Sequence, residues 1–153
     1  MARAPLQVLV LPYRFLPGGG HEHALFRRSE RSGGYWQGIA GGAEGLEKPL
    51  EAARREAAEE AGIPPDLAFF ELDARTTVSA DHFAGGKLWG PDVFVVPVHV
   101  FAVDLSGHAI RLSGEHSEYR WCAYGEAAAL VRWDIDRTAL FELHRRLVLG
   151  KIG

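Results

Sequence analysis

The chain has 153 residues, 47% of them hydrophobic and 24% charged, enough for one sizeable core and too few for two comfortable domains, so residues 1–153 read as one domain. A formal charge of -3 without any long run of like charges excludes a basic arm or an acidic tail and points to a small-molecule partner rather than a nucleic-acid polymer. The single cysteine, Cys122, excludes an intramolecular disulfide and a cysteine-based metal cage, and fits a reducing, cytoplasmic setting.

Residues 1–16 are apolar, but Pro5, Pro12, Tyr13 and Arg14 interrupt them well short of the ~20 apolar residues a membrane span needs, so no membrane partner is expected. Residues 7–15 read as a strand that ends at the turn signal 17–20, after which residues 23–28 form a second. Between residues 29 and 45 glycines recur around Tyr35 and Trp36, a composition for tight backbone turns that a small ligand approaches. Residues 49–61 are nearly all Leu, Ala, Glu and Arg, with Pro49 at the start and Gly62 after the end, which predicts a helix. Residues 67–78 and 92–104 read as strands joined by a Gly-rich connection, and residues 118–123 as a short strand. Apolar spacing then predicts helices over 124–131 and 134–149. Strands mixed with two or three helices imply an α/β or α+β fold, a sheet sandwiched with helices.

The helix over 49–61 places Glu56, Glu59 and Glu60 at i, i+3 and i+4, so three carboxylates share one face. A hard divalent cation would relieve their repulsion, and Mg²⁺ suits oxygen ligands shared with substrate phosphates. The opposite side carries Leu50, Ala53, Ala57 and Ala61, small enough to let the helix lie close to a sheet. An isolated helix of this kind reads first as a solvated one in which Arg54 or Arg55 pairs with Glu51 and Glu59. The preceding residues decide between these readings.

Gly41, Glu47, Arg55-Glu56, Ala57, Glu59-Glu60, Gly62 and Ile63 follow the pattern Gly, five residues, Glu, seven residues, Arg-Glu, apolar, any, Glu-Glu, any, Gly, apolar, which resembles the Nudix box position for position. Its seven specified polar or glycine positions would coincide at average frequencies on the order of once in 10⁸ windows, a figure that this chain's wealth of Glu and Gly loosens. The resemblance implies a Nudix hydrolase: an α/β/α sandwich with a mixed β-sheet, binding Mg²⁺ or Mn²⁺ through a loop, helix and loop. It implies water attack on phosphorus in a substrate containing a nucleoside diphosphate. At matched positions Glu59 and Glu60 would be metal ligands, Glu56 a ligand or the base, Arg55 an ion-pair partner orienting the acids, and Gly41 a carbonyl donor to the metal. Glu47 is expected to brace the loop or pair with Arg55, or to serve only as an acid at the helix start. Many family members have Gly before and Ser or Thr after that Glu, where this chain has Leu46 and Lys48; Gly45 is placed to supply the turn one residue earlier.

Residues 36–42 and 49–53 are similar to a Nudix subgroup related to dihydroneopterin triphosphate pyrophosphatases, and the run 114–121 is similar to that group and to dinucleoside polyphosphate hydrolases. The resemblance implies one further acid from this run, Glu115, with Glu118 as the alternative, for the metal site or as the base. His116 is expected in the loop or behind the ligands, since Mg²⁺ prefers oxygen. Trp36 and Gln37 either stack on and hydrogen-bond a flat base or pterin, or, for Trp36, belong to the core. Arg28, with Arg27, could reach phosphates, and the loop carrying His82, Lys87 and Trp89 could cover the pocket.

The expected activity is therefore metal-dependent hydrolysis of a diphosphate linkage in a nucleoside- or pterin-triphosphate-like molecule by a monomer or homodimer. ADP-ribose, nucleotide sugars or dinucleoside polyphosphates are the second class of substrate, although the proline or tyrosine associated with those subgroups is missing from residues 77–81. A non-catalytic nucleotide sensor is the reading from another class, and retention of Glu56, Glu59 and Glu60 opposes it.

Overall fold

The computed structural model of the chain describes residues 2–114 and 116–152. Among them, one mixed sheet contains β1 (Arg3–Phe15), β2 (His21–Arg28), β3 (Trp36–Gln37), β4 (Ile39–Glu44), β5 (Phe69–Ser79), β6 (Val95–Asp104) and β7 (His116–Cys122). Helix α1 (Pro49–Ala61) packs on one face, and α2 (Tyr124–Leu130) and α3 (Asp134–Leu149) pack on the other, giving the expected sandwich. No described helix is long and apolar enough to cross a membrane.

β1 is buried continuously from Val8 to Tyr13, as a central strand covered on both faces must be. It runs parallel to β6 on one side. On the other it changes partner along its length, pairing with β4 up to Val10–Ile39 and with β2 from Tyr13–His23 onward. Pro12, which has no amide N–H to donate, stands at that change of partner, where neither β4 nor β2 is in register with it. The fork between β2 and β4 is bridged by Gly38. A Cβ there would lie 2.8 Å from the Leu11 side chain and 2.9 Å from both the Leu9 side chain and the Val10 carbonyl oxygen, so glycine is required by close approach.

Helices α1 and α3 have the expected bounds, and the strand ends shift by a few residues. Residues 29–45, expected as turns, instead include two strands, β3 and β4. The reason is steric: glycine at 41 lets β4 run directly beneath α1, which approaches through the fully buried Ala52, Ala53, Ala57 and Ala61, while Gly42 faces the other way, where a Cβ would meet the Arg3 side chain. Pro49 opens α1, the Glu51 carboxylate accepts the Lys48 amide N–H at 2.8 Å, and Gly62 closes the helix at φ 67°.

Candidate metal centre and active site

Helix α1 carries its acids along the edge that overhangs β4. Glu56 and Glu60 are buried, while the Glu59 side chain keeps 55% of its exposure. A Cβ at position 41 would overlap the Glu56 carboxylate, so the β4 backbone and that carboxylate meet face to face. Burial pushes the Glu56 carboxyl up to about 7, against the pull of the Arg55 guanidinium and with a further push from Glu59 and Glu60.

Arg55 organises this edge. Its Nε and Nη2 donate to the two oxygens of Glu47 at 2.8 and 3.0 Å, and Nη2 also donates to the Gly42 carbonyl at 2.8 Å. Nη1 donates to Glu56 at 3.1 Å and Glu59 at 3.2 Å and lies 3.4 Å from a Glu44 oxygen. One guanidinium thus ties helix, strand and loop together, a task for its planar fork rather than for a lysine point charge. The hydrogen bond from Arg55 holds the Glu47 carboxyl below the usual carboxylate range despite some burial. Glu47 also accepts the Glu44 amide N–H at 2.8 Å, so it braces the loop and pairs with Arg55, the first of its two expected roles. Gly45 makes the turn at φ 56°, one residue before the substituted Leu46 position.

Glu60 is held from the far side. The Ser113 hydroxyl donates to its Oε2 at 2.7 Å, the Ser113 amide N–H donates to its carbonyl at 3.0 Å, and Nδ1 of the buried His116 stands 3.5 Å from Oε2. His116 therefore lies behind an acid. Glu115 lies outside the described residues. Its alternative, Glu118, is on β7 opposite Arg27, which donates to it at 3.2 Å on the α2–α3 side of the sheet.

The residues expected from sequence to contact the substrate divide between the faces. Phe26 belongs to the core under α1, and its cross-strand neighbour Gln37 is buried on that same side; Arg28, two residues on, pairs in register with His116. Trp36 alternates to the other side, where it packs partly buried in the α2–α3 core with the Arg120 guanidinium 5.1 Å above its ring. The segment over 80–90 reaches neighbours of the Gly-rich stretch at both its ends: Trp89 Nε1 donates at 2.8 Å to the carbonyl of Arg3, which pairs with Glu44, and the His82 ring meets Trp133, which in turn meets Tyr35. Three positioning groups were not singled out from sequence. Glu44 joins the Arg55 cluster from the end of β4, and Ser113 reaches Glu60 only through the fold. A third, Asp136 in the first turn of α3, is buried and accepts the Gly38 amide N–H at 2.8 Å across the fork.

A carboxylate-rich helix locked by one arginine over a glycine strand, on a mixed sheet flanked by helices, defines the class of metal-dependent phosphoanhydride hydrolases. The NUDIX domain family matches residues 13–143, and the chain belongs to that family as a Nudix hydrolase. It is 34% identical to a protein of Listeria monocytogenes assigned as a NUDIX hydrolase, with 97% of this chain and 98% of that chain covered and a TM-score of 0.86. The dihydroneopterin triphosphate pyrophosphohydrolase of E. coli shares the fold at 24% identity and a TM-score of 0.71, covering 92% of this chain and 97% of that one. A C. elegans Ap4A hydrolase does so at 22% identity and a TM-score of 0.71, covering 93% and 96%. A stretch of 98 residues is 37% identical to the octanoyltransferase of Myxococcus xanthus, covering 63% of this chain; the chain spans about a quarter, 25%, of that relative's length. Nudix hydrolases generally use divalent metal ions.

Proposed function

We propose that residues 1–153 act as one catalytic domain that hydrolyses a diphosphate linkage in a nucleoside- or pterin-triphosphate-like substrate with Mg²⁺, or Mn²⁺ in its place. The observation that carries this reading is the Arg55 network, which fixes Glu56 and Glu59 over the Gly41–Gly42 backbone and leaves Glu59 open to solvent. The donor set fits a hard cation: it is all oxygen, it holds three carboxylates against one guanidinium, and burial penalises the Glu56 charge in the absence of a further cation.

Glu56, Glu59 and Glu60 would hold the metal, with the Gly41 carbonyl and Glu115 completing the set. When bound, the metal supplies Lewis-acid polarisation of the phosphoryl oxygens and charge compensation for the leaving phosphate. Arg55 and Glu47 keep the acids aligned, and Ser113 and His116 keep Glu60 turned toward them. The oxygen of water bonds to phosphorus as the bridging P–O bond breaks; the proton of that water passes to a carboxylate of the cluster and the bridging oxygen leaves with the other phosphate. Gln37 and Arg28 contact the substrate from the α1 side, Arg28 at a phosphate. The placement of Trp36 in the opposite core favours its role as support for that edge over a stacking role.

The test is a Mg²⁺-dependent hydrolysis screen over dihydroneopterin triphosphate, nucleoside triphosphates, diadenosine polyphosphates, ADP-ribose and nucleotide sugars, with products separated by anion exchange. The expected result is turnover of a triphosphate that falls on the order of a thousandfold in Glu60→Gln with the fold retained. Tight nucleotide binding without turnover of any of these would replace the enzyme with a sensor, and unchanged turnover in Glu60→Gln would remove Glu60 from the site.

A further inference from the structure

Outside the carboxylate edge, the described residues hold one other group of potential ligands in close array: His21, His23 and His144. His21 and His23 are two residues apart on β2, so both project to the same face. That face is the α2–α3 side, because His23 stands in register between Tyr13 and Cys122, both of which belong to that core. His144 comes to meet them from α3. The carboxylates lie under α1, so the two groups are on opposite faces of the sheet.

We propose that His21, His23 and His144 form a second metal site, one for a divalent transition ion bound by imidazole nitrogen, with Zn²⁺ the first choice. One ligand atom from each residue can be chosen so that all three lie within 4.8 Å of one another, and Nε2 of His21 is 3.0 Å from Nδ1 of His144. Tetrahedral zinc with Zn–N of about 2.0–2.1 Å spaces its ligands about 3.3 Å apart, so small side-chain rotations complete the triangle. The hydrogen bond between His21 and His144 would account for those two without a metal. It does not account for His23, which is fully buried with neither ring nitrogen hydrogen-bonded within the protein. An unpaired buried polar group destabilises the fold, and replacement of this histidine by an apolar residue would avoid that cost.

The state of the rings suits ligation. Burial first, and then the neighbouring His21 and His144, push the His23 imidazole down to about 3, so it stays neutral with a free lone pair at physiological pH. The same causes, burial and His144, lower His21. Tyr124 fixes His144 by stacking flat on its ring, with centroids 4.4 Å apart and planes 7° from parallel. Three nitrogen ligands leave a fourth position, and a recess of about 470 Å³ opens beside it, lined by His21 and His144 together with Phe15, Tyr124 and Leu147. That position has room for water or a small anion. The all-imidazole set favours zinc, nickel or copper and disfavours Mg²⁺, so the two sites would sort their ions by donor chemistry.

The experiment is calorimetric titration of the metal-free chain with Zn²⁺ while Mg²⁺ is held in large excess, repeated with Co²⁺ to read visible absorption. The expected result is one Zn²⁺ per chain, d–d bands of tetrahedral cobalt without a thiolate charge-transfer band, and at least a hundredfold loss of affinity in His21→Ala and His144→Gln. Both residues are only partly buried, which spares the fold where His23→Ala would open a cavity. Glu60→Gln should leave this binding unchanged, separating it from the carboxylate site. Absence of Zn²⁺ binding over Mg²⁺, or equal affinity in wild type and His144→Gln, would overturn the proposal.

Discussion

Against one face of the sheet α1 lays Ala52, Ala53, Ala57 and Ala61, whereas against the other α3 lays Ala139, Leu140 and Leu143, all fully buried. The alanine contact contributes little apolar area per residue but brings a helix backbone close to β4, and that closeness sets Glu56 of α1 beside Gly41. The leucine contact fills volume and is clamped by Glu142 and Arg146 to β5. Positioning of the candidate site and bulk stability are therefore assigned to different faces, and perturbing each face separately should show it.

Leu140→Ala should have the largest effect on stability, about 2–5 kcal/mol by denaturant unfolding, because it leaves a cavity in a fully buried layer. Its Mg²⁺ affinity, measured by calorimetry, should be near that of wild type. Ala57→Leu should cost about 1–3 kcal/mol through overpacking yet weaken Mg²⁺ more, because it lifts the acidic helix off β4. The comparison between faces fails if Leu140→Ala is the variant that loses metal.

Arg55→Ala is next. It removes the donor shared by Glu47, Glu56 and Glu59 and should cost about 1.5–3 kcal/mol, the range for hydrogen bonds to charged groups. Added Mg²⁺ should then raise Tm by more in the variant than in wild type only if the acids still converge without their arginine. A smaller rise would mean that Arg55 builds the site as well as neutralising it.

Much of the alanine face was legible in the sequence because it is local: Pro49, Gly62, the acid spacing and Arg55 all lie within or beside one helix. The placement of Glu47 and the Gly45 turn also followed from neighbours a few residues apart. What was not legible depends on long-range register. Trp36 and Gln37 are adjacent in a strand and so fall on opposite faces, but which of them faces α1 is decided only by the pairing of β3 with β2. Ser113 and Glu60 are separated by 53 positions, and His21 and His144 by 123, so no local pattern could join them.

Asp136 links the two faces, since it sits on α3 and holds Gly38 at the fork where β4 begins. Burial pushes its carboxyl up to about 6, against the hydrogen bond from Gly38. The native state therefore holds this proton more tightly than the unfolded chain, whose carboxyl titrates near 3.8, and stability from this group is full below that value and lost as pH rises through about 6. The window is worth on the order of 3 kcal/mol. Asp136→Asn keeps an oxygen for the Gly38 amide and cannot titrate, so unfolding free energies taken from pH 4 to 7 should lose the share of the downward slope that belongs to Asp136 and keep the share that the raised Glu56 carboxyl contributes.

Glu142 should titrate in the opposite sense and with the smallest effect. Burial raises its carboxyl, but the amides of Asp73 and Ala74, each donating at 2.8 Å, and Nε of Arg146 at 2.8 Å leave it lowered from the ordinary 4.5. Its contribution is present above 4.5 and lost as pH falls through the lowered value, because protonation discards the charge that these donors face. Glu142→Gln should cost about 1 kcal/mol at neutral pH and nothing in acid. The clamp joins α3 to β5 without touching α1, so Mg²⁺ affinity in this variant should match wild type. A loss of metal here, with so little stability removed, would show that the α3 face transmits strain through Asp136 to the fork, and that the two faces act as one.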